Sequence, residues 1–246
     1  MQPPQSNTNH ATAPGGRRPW VVGVSGASGT PYAAAVLRGL LRAGEAVDLV
    51  VSRASRLTLL DETGVAFRDA HWREDLRSWL ARGADGDPGR FAEELSEADD
   101  VRFWPAGDLA AGPSSGSYPV KGMLIVPAST ACVAGVALGL SKDLLQRAAS
   151  VTLKERRRLV VAVRETPLNG QTLRHLVELD EAGAVVLPAS PAFYAGATDI
   201  QDLVDFVAGR VLDAAEVPHQ LYRRWKGQLG GAGGDRGAGT GPRRAS

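Results

Sequence analysis

Residues Lys154–Leu168 read KERRRLVVAVRETPL. A basic run leads into the five apolar residues Leu159–Val163, and a short valine-rich run of this kind is typical of a strand buried on both faces of a parallel sheet. The run stops at Arg164 and Glu165, and Pro167 prevents further pairing. Ligands of open α/β sheets bind outside the carboxyl ends of the strands. The Arg164–Glu165 pair is therefore placed for chemistry or, in the simpler interpretation, forms a structural ion pair at a strand end.

The rest of the chain alternates apolar runs with amphipathic segments. This alternation predicts a doubly wound parallel sheet with helices on both faces. The segment 65–119 departs from the pattern: a helix is predicted near 72–82, and the remainder is expected to be an irregular connection, either a lid, a subunit contact or a surface insertion. The other predicted strands are 20–24, 46–51, 123–126 and 184–187, and the other predicted helices are 32–42, 54–63, one ending near 138, 143–153, 172–181 and 200–214.

Composition excludes several classes of function. The net charge of +1 gives no global field for nucleic acid. A single cysteine, Cys132, rules out an internal disulfide framework and fits a reducing, cytoplasmic location. The four histidines are scattered without a cysteine or carboxylate at metal-ligand spacing, so we expect no metal site.

The ends of the chain differ in composition from its middle. We expect disordered tails at 1–18 and 227–246, the second rich in glycine, around a single domain at 19–226. The first tail lacks the apolar core of a signal peptide. The uncharged stretch Gly122–Leu140 contains proline, glycine, serine and threonine, so we interpret it as strand, loop and helix and expect no membrane span.

A glycine-rich turn follows the first predicted strand. Ser25–Pro31 reads SGASGTP and precedes a helix, an order that predicts a phosphate cradle of close backbone and unpaired helix N–H groups. The motif alone is weak evidence. The second strand ends at Ser52 and Arg53 without the acid that usually holds the ribose of NAD. This argues against NAD, while Arg53 leaves NADP open.

Other polar residues also follow predicted strands. Ser129 comes after the third strand and is either a ligand contact or a plain helix N-cap. Glu62 ends a predicted helix close to a turn and is either functional or merely solvated. Cys132 has no histidine with which to form a nucleophilic pair. Together the strand ends outline one crevice of hydroxyls, cations and a carboxylate, suited to an anionic ligand, at Ser28, Ser52, Ser129, Arg164, Glu165 and Tyr194.

Several motifs taken together closely resemble the UbiX-type flavin prenyltransferases, over roughly Trp20 to Gly227. The resemblance is carried by GVSGASG at 23–29 with PY at 31–32, LKERR at 153–157, RETPL at 164–168, PAFY at 191–194 and RW at 224–225. It implies a flavodoxin-like (Rossmann-like) α/β subunit that usually assembles into a dodecamer with active sites between subunits.

The resemblance also implies an activity. Members of this family join the dimethylallyl group of dimethylallyl phosphate to reduced FMN, at N5 and then C6, without a metal. The resulting prenylated FMN serves a partner decarboxylase of the UbiD type. FMN, dimethylallyl phosphate and such a decarboxylase are therefore the expected cofactor and partners.

Site residues are implied by matching position. Those expected to contact FMN are Gly26, Ala27, Ser28, Ser52, Ser129, Thr130, Ala131, Cys132 and Arg164. Those expected to hold the prenyl phosphate are Lys154, Arg164, Tyr194, Arg210 and Trp225. Those expected to act in catalysis are Ser28, Glu62, Lys154, Arg164, Glu165 and Tyr194. The sequence departs from the family's Pro-Cys-Ser loop, because Ala128 replaces the cysteine and Cys132 stands where a threonine is usual.

Three alternatives remain at this point. A flavin-dependent cysteine decarboxylase shares the fold, but its histidine base and its Asn/Met-rich motif are not evident here, and Glu62 stands where the histidine would be sought. An NADP oxidoreductase fits the glycine turn alone. A non-catalytic FMN carrier or decarboxylase-assembly subunit would not need the prenyl-phosphate residues that the chain retains.

Overall fold

In the computed structural model, which describes residues 16–92, 100–225 and 227, six parallel strands form a single sheet. The strand order is β3-β2-β1-β4-β5-β6. Without the edge strand β3, the order becomes that of the flavodoxin-like sheets, which confirms the predicted fold class. The strands are β1 Trp20–Val24, β2 Val47–Val51, β3 Val101–Pro105, β4 Gly122–Ala128, β5 Arg158–Val163 and β6 Val185–Pro188.

Helices cover both faces of the sheet. On one face α1 packs against α7, and α3 lies beside them, with Leu37, Trp79 and Val211 fully buried. On the other face α4, α5 and α6 bury Val133, Leu145 and Leu176 against the sheet. The helices are α1 Thr30–Arg42, α2 Arg53–Thr63, α3 Trp72–Leu80, α4 Thr130–Ala137, α5 Leu144–Lys154, α6 Gly170–Glu181 and α7 Ile200–Ala214.

The apolar runs of the sequence became strands because the sheet interior excludes water on both faces. Every residue of β1, β2 and β4 is buried, as are Leu159–Val163 in β5. Crossovers between parallel strands place helices over both faces, so such strands have no polar side. This is why the central strands could be read directly from the sequence.

The prediction of an irregular connection between the helix near 72–82 and Pro119 was wrong in one respect. Val101–Pro105 forms β3, which pairs with β2 at the edge of the sheet. Val101 and Phe103 are buried while Arg102 and Trp104 are partly exposed. This alternation is the signature of a strand with one buried side, but five residues among charged neighbours are too few to separate it from a loop.

A buried carboxylate, that of Asp48, joins β2 to the connection between β3 and β4. It is buried in β2 and accepts a 2.9 Å hydrogen bond from the Tyr118 hydroxyl. Burial raises the pKa of the Asp48 carboxyl above its ordinary value. The carboxylate thus faces Tyr118, well before the carboxyl end of its strand, and does not take the place of a ribose-binding acid.

The ends of the predicted domain are described in part. Residues 1–15 and 228–246 of the predicted tails lie outside the described residues, whereas Arg17 is described and pairs with Asp100 at 2.6 Å. Among the described helices, none has the combination of length and apolar character that crossing a bilayer demands. Gly122–Leu140, as predicted, contains a strand and a helix, β4 and α4.

Candidate active site

The loops after β1 and β4 meet where the order of the strands reverses. The Ser25 hydroxyl, which is buried, donates to the Pro127 carbonyl oxygen at 2.8 Å and accepts from the Ser129 backbone nitrogen at 2.7 Å. The loop after β2 joins them, because the Ser52 backbone nitrogen donates to the Val24 carbonyl oxygen at 3.0 Å. Three strand ends are thereby fixed around one cleft, at the switch point where α/β sheets bind ligands.

Gly26 allows these loops to come together. A β-carbon at this position would lie 2.5 Å from the Ala54 side chain and 3.2 Å from its backbone. Contacts this short with the backbone of α2 could be relieved only by moving the helix. The glycine is thus explained by close packing of the first turn against α2, which narrows the cleft between them.

The cleft contains part of the predicted cofactor site. Gly26, Ser52, Ser129, Ala131 and Cys132 line it. Of the other predicted cofactor residues, Ala27 is buried beneath the turn, and Ser28 and Thr130 lie outside the lining. Lining residues that the prediction did not include among the site residues are Ser25, Arg53, Ala54, Asp143, Leu145 and Gln146.

Two of the three predicted serine ligands, Ser52 and Ser129, are helix caps. The Ser52 hydroxyl accepts from the Ser55 backbone nitrogen at 3.1 Å, and the Ser129 hydroxyl accepts from the Cys132 backbone nitrogen at 3.2 Å. The structural interpretation of Ser129 is therefore correct as far as its hydrogen bond goes. The caps also place the amino ends of α2 and α4 beside the cleft, where backbone N–H groups and the helix dipoles favour an anion.

Glu62 changes the interpretation of the glycine turn. Its carboxylate accepts hydrogen bonds from the backbone nitrogens of Gly29, at 2.9 Å, and Thr30, at 2.8 Å, and from the Thr30 hydroxyl at 2.6 Å. The first N–H groups of α1, predicted to be unpaired in a phosphate cradle, are occupied by this side chain. The prediction was wrong because the partner, which is 33 residues away in sequence, reaches the turn only through the packing of α2.

Arg164 lies against the same turn. Its Nε donates to the Ser28 carbonyl oxygen at 2.9 Å, and its backbone nitrogen donates to Ala128 at 3.2 Å. The Tyr32 hydroxyl is close to both charges: burial and the Glu62 carboxylate raise the pKa of Tyr32, while the Arg164 guanidinium opposes the shift. The turn thus joins Ser28, Glu62 and Arg164, and Tyr32 is a neighbour that the sequence did not single out for the site.

Glu165 and Cys132 differ in exposure. Glu165 is exposed at the carboxyl end of β5, and its Oε1 accepts a hydrogen bond from the Thr166 backbone nitrogen at 3.0 Å.

Cys132 is buried on the cleft, and burial, with the nearby Asp143 carboxylate, raises the pKa of its thiol to about 12. The thiol is neutral at physiological pH, so the structure agrees with the interpretation that Cys132 is not a nucleophile.

Three of the residues predicted for the prenyl phosphate, Tyr194, Arg210 and Trp225, form a second group. They lie in the loop before α7, on α7 and in the segment after it. The Tyr194 ring contacts the Phe206 ring at 5.7 Å and the Trp225 ring at 6.0 Å, both edge to face. Arg210 Nη1 donates to Asp213 at 2.9 Å and lies 3.5 Å from the Tyr222 hydroxyl. Tyr194 and Trp225 are about half exposed, at 50% and 56%. They form a wall open to solvent.

This group is connected to the cleft through one loop. The Ala189 backbone nitrogen donates to the Val163 carbonyl oxygen at 2.8 Å, which ties the loop after β6 to the residue before Arg164. Among the described residues, no side-chain hydrogen bond or ring contact joins Tyr194 or Trp225 to Ser28 or Arg164. The two groups occupy neighbouring parts of the same subunit.

Lys154 lies at the opposite end of the strands from the cleft. It ends α5 immediately before β5, pairs with Glu155 and is exposed, whereas Arg164 follows β5. A strand rises about 3.3 Å per residue, so the length of β5 separates the two cations by roughly 20 Å. Within one subunit Lys154 does not reach the cleft, because it lies at the amino end of β5 and the cleft lies at the carboxyl ends of the strands.

The arrangement as a whole is suited to an anion. Hydroxyl groups, helix amino ends, Arg53 and the Asp143 carboxylate line the cleft, and Arg164 is fixed on the neighbouring glycine turn. The donors in this set suit a phosphate monoester carried on a polar ring system such as FMN. Within 16–92 and 100–225, no three metal-ligating side chains form a cluster.

Comparison with known proteins gives consistent results. The family model described as Flavoprotein matches residues 8–212. A flavin prenyltransferase UbiX of Streptomyces coelicolor is 84% identical over 214 residues, which are 87% of this chain and 98% of that protein. A flavin prenyltransferase UbiX of Halalkalibacterium halodurans is 36% identical, with 84% of this chain and 92% of that protein covered.

Two solved structures show the same architecture. The crystal structure of AnUbiX (PadA1), in complex with FMN and dimethylallyl pyrophosphate, has a TM-score of 0.72 and 35% identity and covers 86% of this chain and 99% of its own. A dodecameric FMN-dependent UbiX-like decarboxylase from Escherichia coli O157:H7 has a TM-score of 0.69 and 32% identity, covering 85% and 99% respectively.

Proposed function

The chain belongs to the flavoprotein family and, within it, to the UbiX flavin prenyltransferases, and we propose that it transfers the dimethylallyl group of dimethylallyl phosphate to reduced FMN. The observation that carries the proposal is the 84% identity to a flavin prenyltransferase over nearly that protein's whole length. The cleft at the switch point, with its hydroxyl groups, helix amino ends and guanidinium groups, supports it.

FMN is assigned to the cleft lined by Gly26, Ser52, Ser129, Ala131 and Cys132, with Ala27, Ser28, Thr130 and Arg164 completing its surroundings. In its reduced form FMN supplies the N5 and C6 positions that accept the five-carbon group. The chain's part is to hold the flavin and the donor together, because correct placement of two reactants removes much of the barrier to their reaction.

Departure of phosphate from the donor requires positive charge beside the leaving group. Arg164 is placed for this role, because its Nε is fixed on the Ser28 carbonyl oxygen at 2.9 Å while its guanidinium keeps further donors. The exposed Glu165 carboxylate accepts a proton in this proposal. It does so at Oε2, because Oε1 already accepts a hydrogen bond from the Thr166 nitrogen. Tyr194 and Trp225 are assigned the exclusion of water from the carbocation.

The active site is proposed to form between subunits. Lys154 lies across the sheet from Arg164, so it can approach a cleft only in a neighbouring copy. A related UbiX-like protein is dodecameric, and we infer a homo-oligomer of the same kind here. In this arrangement the phosphate site forms beside Ser28, Glu62, Arg164 and Glu165 of one subunit. A neighbouring subunit contributes Lys154. The remaining residues, Tyr194, Arg210 and Trp225, come either from a further subunit or from the same one.

The setting of the activity is part of the proposal. Residues 19–226 are proposed to act as one flavoprotein domain between two tails. The product, prenylated FMN, is proposed to serve a UbiD-type decarboxylase in the cytoplasm. Neither nucleic acid nor a membrane is proposed as a partner.

The test is anaerobic incubation of the purified protein with reduced FMN and dimethylallyl phosphate, followed by mass analysis of the flavin. We expect a gain of one five-carbon prenyl unit that depends on the protein and persists after treatment with a metal chelator. Bound but unmodified FMN, with a known relative active in parallel, would contradict the transfer reaction. A protein that binds no flavin would contradict the assignment as a whole.

A further inference from the structure

Asp213, in the last turn of α7, accepts hydrogen bonds from four side chains. Its Oδ1 accepts from Arg224 Nη2 at 2.7 Å and lies 3.0 Å from His219 Nε2, and its Oδ2 accepts from the Tyr222 hydroxyl at 2.5 Å and from Arg210 Nη1 at 2.9 Å. Its side chain is only 18% exposed. We call Asp213 and these four partners the Asp213 clamp.

The clamp determines the path of the chain after α7. His219, Tyr222 and Arg224 belong to a segment without helix or strand, so backbone hydrogen bonds of regular structure do not hold it in place. Three of the four bonds to Asp213 come from this segment. The next residue after Arg224 is Trp225, whose ring contacts Tyr194. The position of Trp225 therefore depends on the carboxylate of Asp213.

Gly209 provides independent evidence that α7 receives this segment. A β-carbon at Gly209 would lie 2.5 Å from the Tyr222 ring and 2.7 Å from the His219 ring. Glycine in the interior of a helix is unfavourable, so its presence at this contact needs a packing reason. The reason here is that the rings of the clamp lie directly on the helix backbone.

The clamp also orients Arg210. Both hydrogen bonds that Arg210 donates leave from Nη1, which fixes that end of the guanidinium group. A guanidinium carries donors on two further nitrogens, which suit a phosphate. The hydrogen bonds from Arg224, Tyr222 and His219 outweigh the burial that opposes them and lower the pKa of Asp213 to about 2. The carboxylate is thus an anion throughout the physiological range.

Resting on the proposed function, we propose that Asp213 is a positioning residue for the prenyl-phosphate site: it fixes the segment 219–224 so that Trp225 stands against Tyr194, and it holds Arg210 in the orientation that receives the phosphate. Asp213 does not touch the donor. It acts through Trp225 and Arg210, and the substitution of this one carboxylate releases both.

The test compares the wild type with Asp213→Asn, which keeps the shape of the side chain but places an amide group among donors. We expect the KM for dimethylallyl phosphate to rise at least about tenfold, with the dissociation constant of FMN within twofold of the wild type, since no hydrogen bond of the described residues joins the clamp to the lining of the cleft. Trypsin should cleave the intact Asp213→Asn protein after Arg223 and Arg224 at least about fivefold faster than the wild type, and mass analysis of the fragments measures the rate.

Two further variants make the test specific. Gly209→Ala keeps Asp213 and favours the helix, yet its methyl group displaces Tyr222 and His219, so it should raise the KM and the rate of cleavage as Asp213→Asn does. The matched control is Glu216→Gln, three residues after Asp213, which removes the carboxylate that pairs with Arg158. It should change neither the donor KM nor the rate of cleavage.

The outcomes separate the two proposals. A wild type that leaves FMN unmodified overturns the proposed function and the positioning role together. An active wild type with an unchanged donor KM in Asp213→Asn and Gly209→Ala overturns the positioning role alone. Faster cleavage without a change in donor KM overturns it as well, because the segment would then be ordered by Asp213 without serving the substrate.

Discussion

The Glu62 carboxylate lies 2.8 Å from the backbone nitrogen of Thr30, at the first turn of α1. It satisfies N–H groups that a helix leaves unpaired and places a negative charge at the positive end of the helix dipole. The polar residue that resemblance assigns to catalysis is therefore also a structural partner of the glycine turn. Both roles can be separated by experiment.

Substitution of Glu62 by glutamine should lower the free energy of unfolding by about 1–2 kcal/mol, because the amide replaces one accepting oxygen with a donor opposite other donors. Urea unfolding measures the loss. Asp61→Asn, at an exposed carboxylate one residue earlier, is the control and should be near neutral. Equal stability of the Glu62 variant and the wild type would show that the bonds to Gly29 and Thr30 contribute nothing net.

Cys132 should resist alkylation in the folded protein. Its pKa is raised to about 12, chiefly by burial, so at pH 8 almost no reactive thiolate is present. Iodoacetamide should modify it slowly at pH 8 and faster only as the pH rises toward that value. Rapid labelling at pH 8, compared with the same protein unfolded in urea, would contradict a buried neutral thiol.

Glu165→Gln should retain FMN and slow prenylation by about 100-fold or more, the usual scale of a lost proton acceptor. The binding of FMN should hold because Glu165 does not line the cleft. Single-turnover formation of prenylated FMN gives the rate, and flavin fluorescence gives the affinity. Unchanged turnover would remove Glu165 from the mechanism.

Lys154 and Arg164 should complement each other between subunits. Lys154→Ala and Arg164→Ala should each be inactive alone, since each lacks one cation of the phosphate site. In oligomers coexpressed from the two variants, about a quarter of the sites receive both cations from different chains. We expect that fraction of wild-type activity.

Two results would test this arrangement further. Coexpression of either variant with a second, differently tagged copy of itself should give no activity. Mixed oligomers that stay inactive would show that Lys154 does not act in a neighbouring copy.

The sequence predicted the central sheet well because its strands are buried on both faces. Leu159–Val163 and Trp20–Val24 could hardly form anything else, and the polar residues that follow them had to lie at one edge. Ser52 and Ser129 were placed correctly by the same logic. Their hydrogen bonds as caps follow from local geometry, and this also was open to prediction.

Other features depend on contacts between distant residues. Glu62 reaches the start of α1 only because α2 packs beside α1, and Asp143 lines the cleft only because α5, which it caps, begins there. The strand at Val101–Pro105 is too short and too mixed to be distinguished without its partner β2. Asp213 was not recognised because three of its four partners come from the segment after α7, which has no periodic signal.

The separation of Lys154 from Arg164 by the length of β5 has a consequence for how activity scales with the amount of protein. If one complete site needs more than one copy of the chain, the active species forms by mass action. Specific activity should then fall when the protein is diluted below the dissociation constant of the subunits, although each chain remains folded. The supply of prenylated FMN would respond more than proportionally to a change in the amount of chain at low abundance, without any effector.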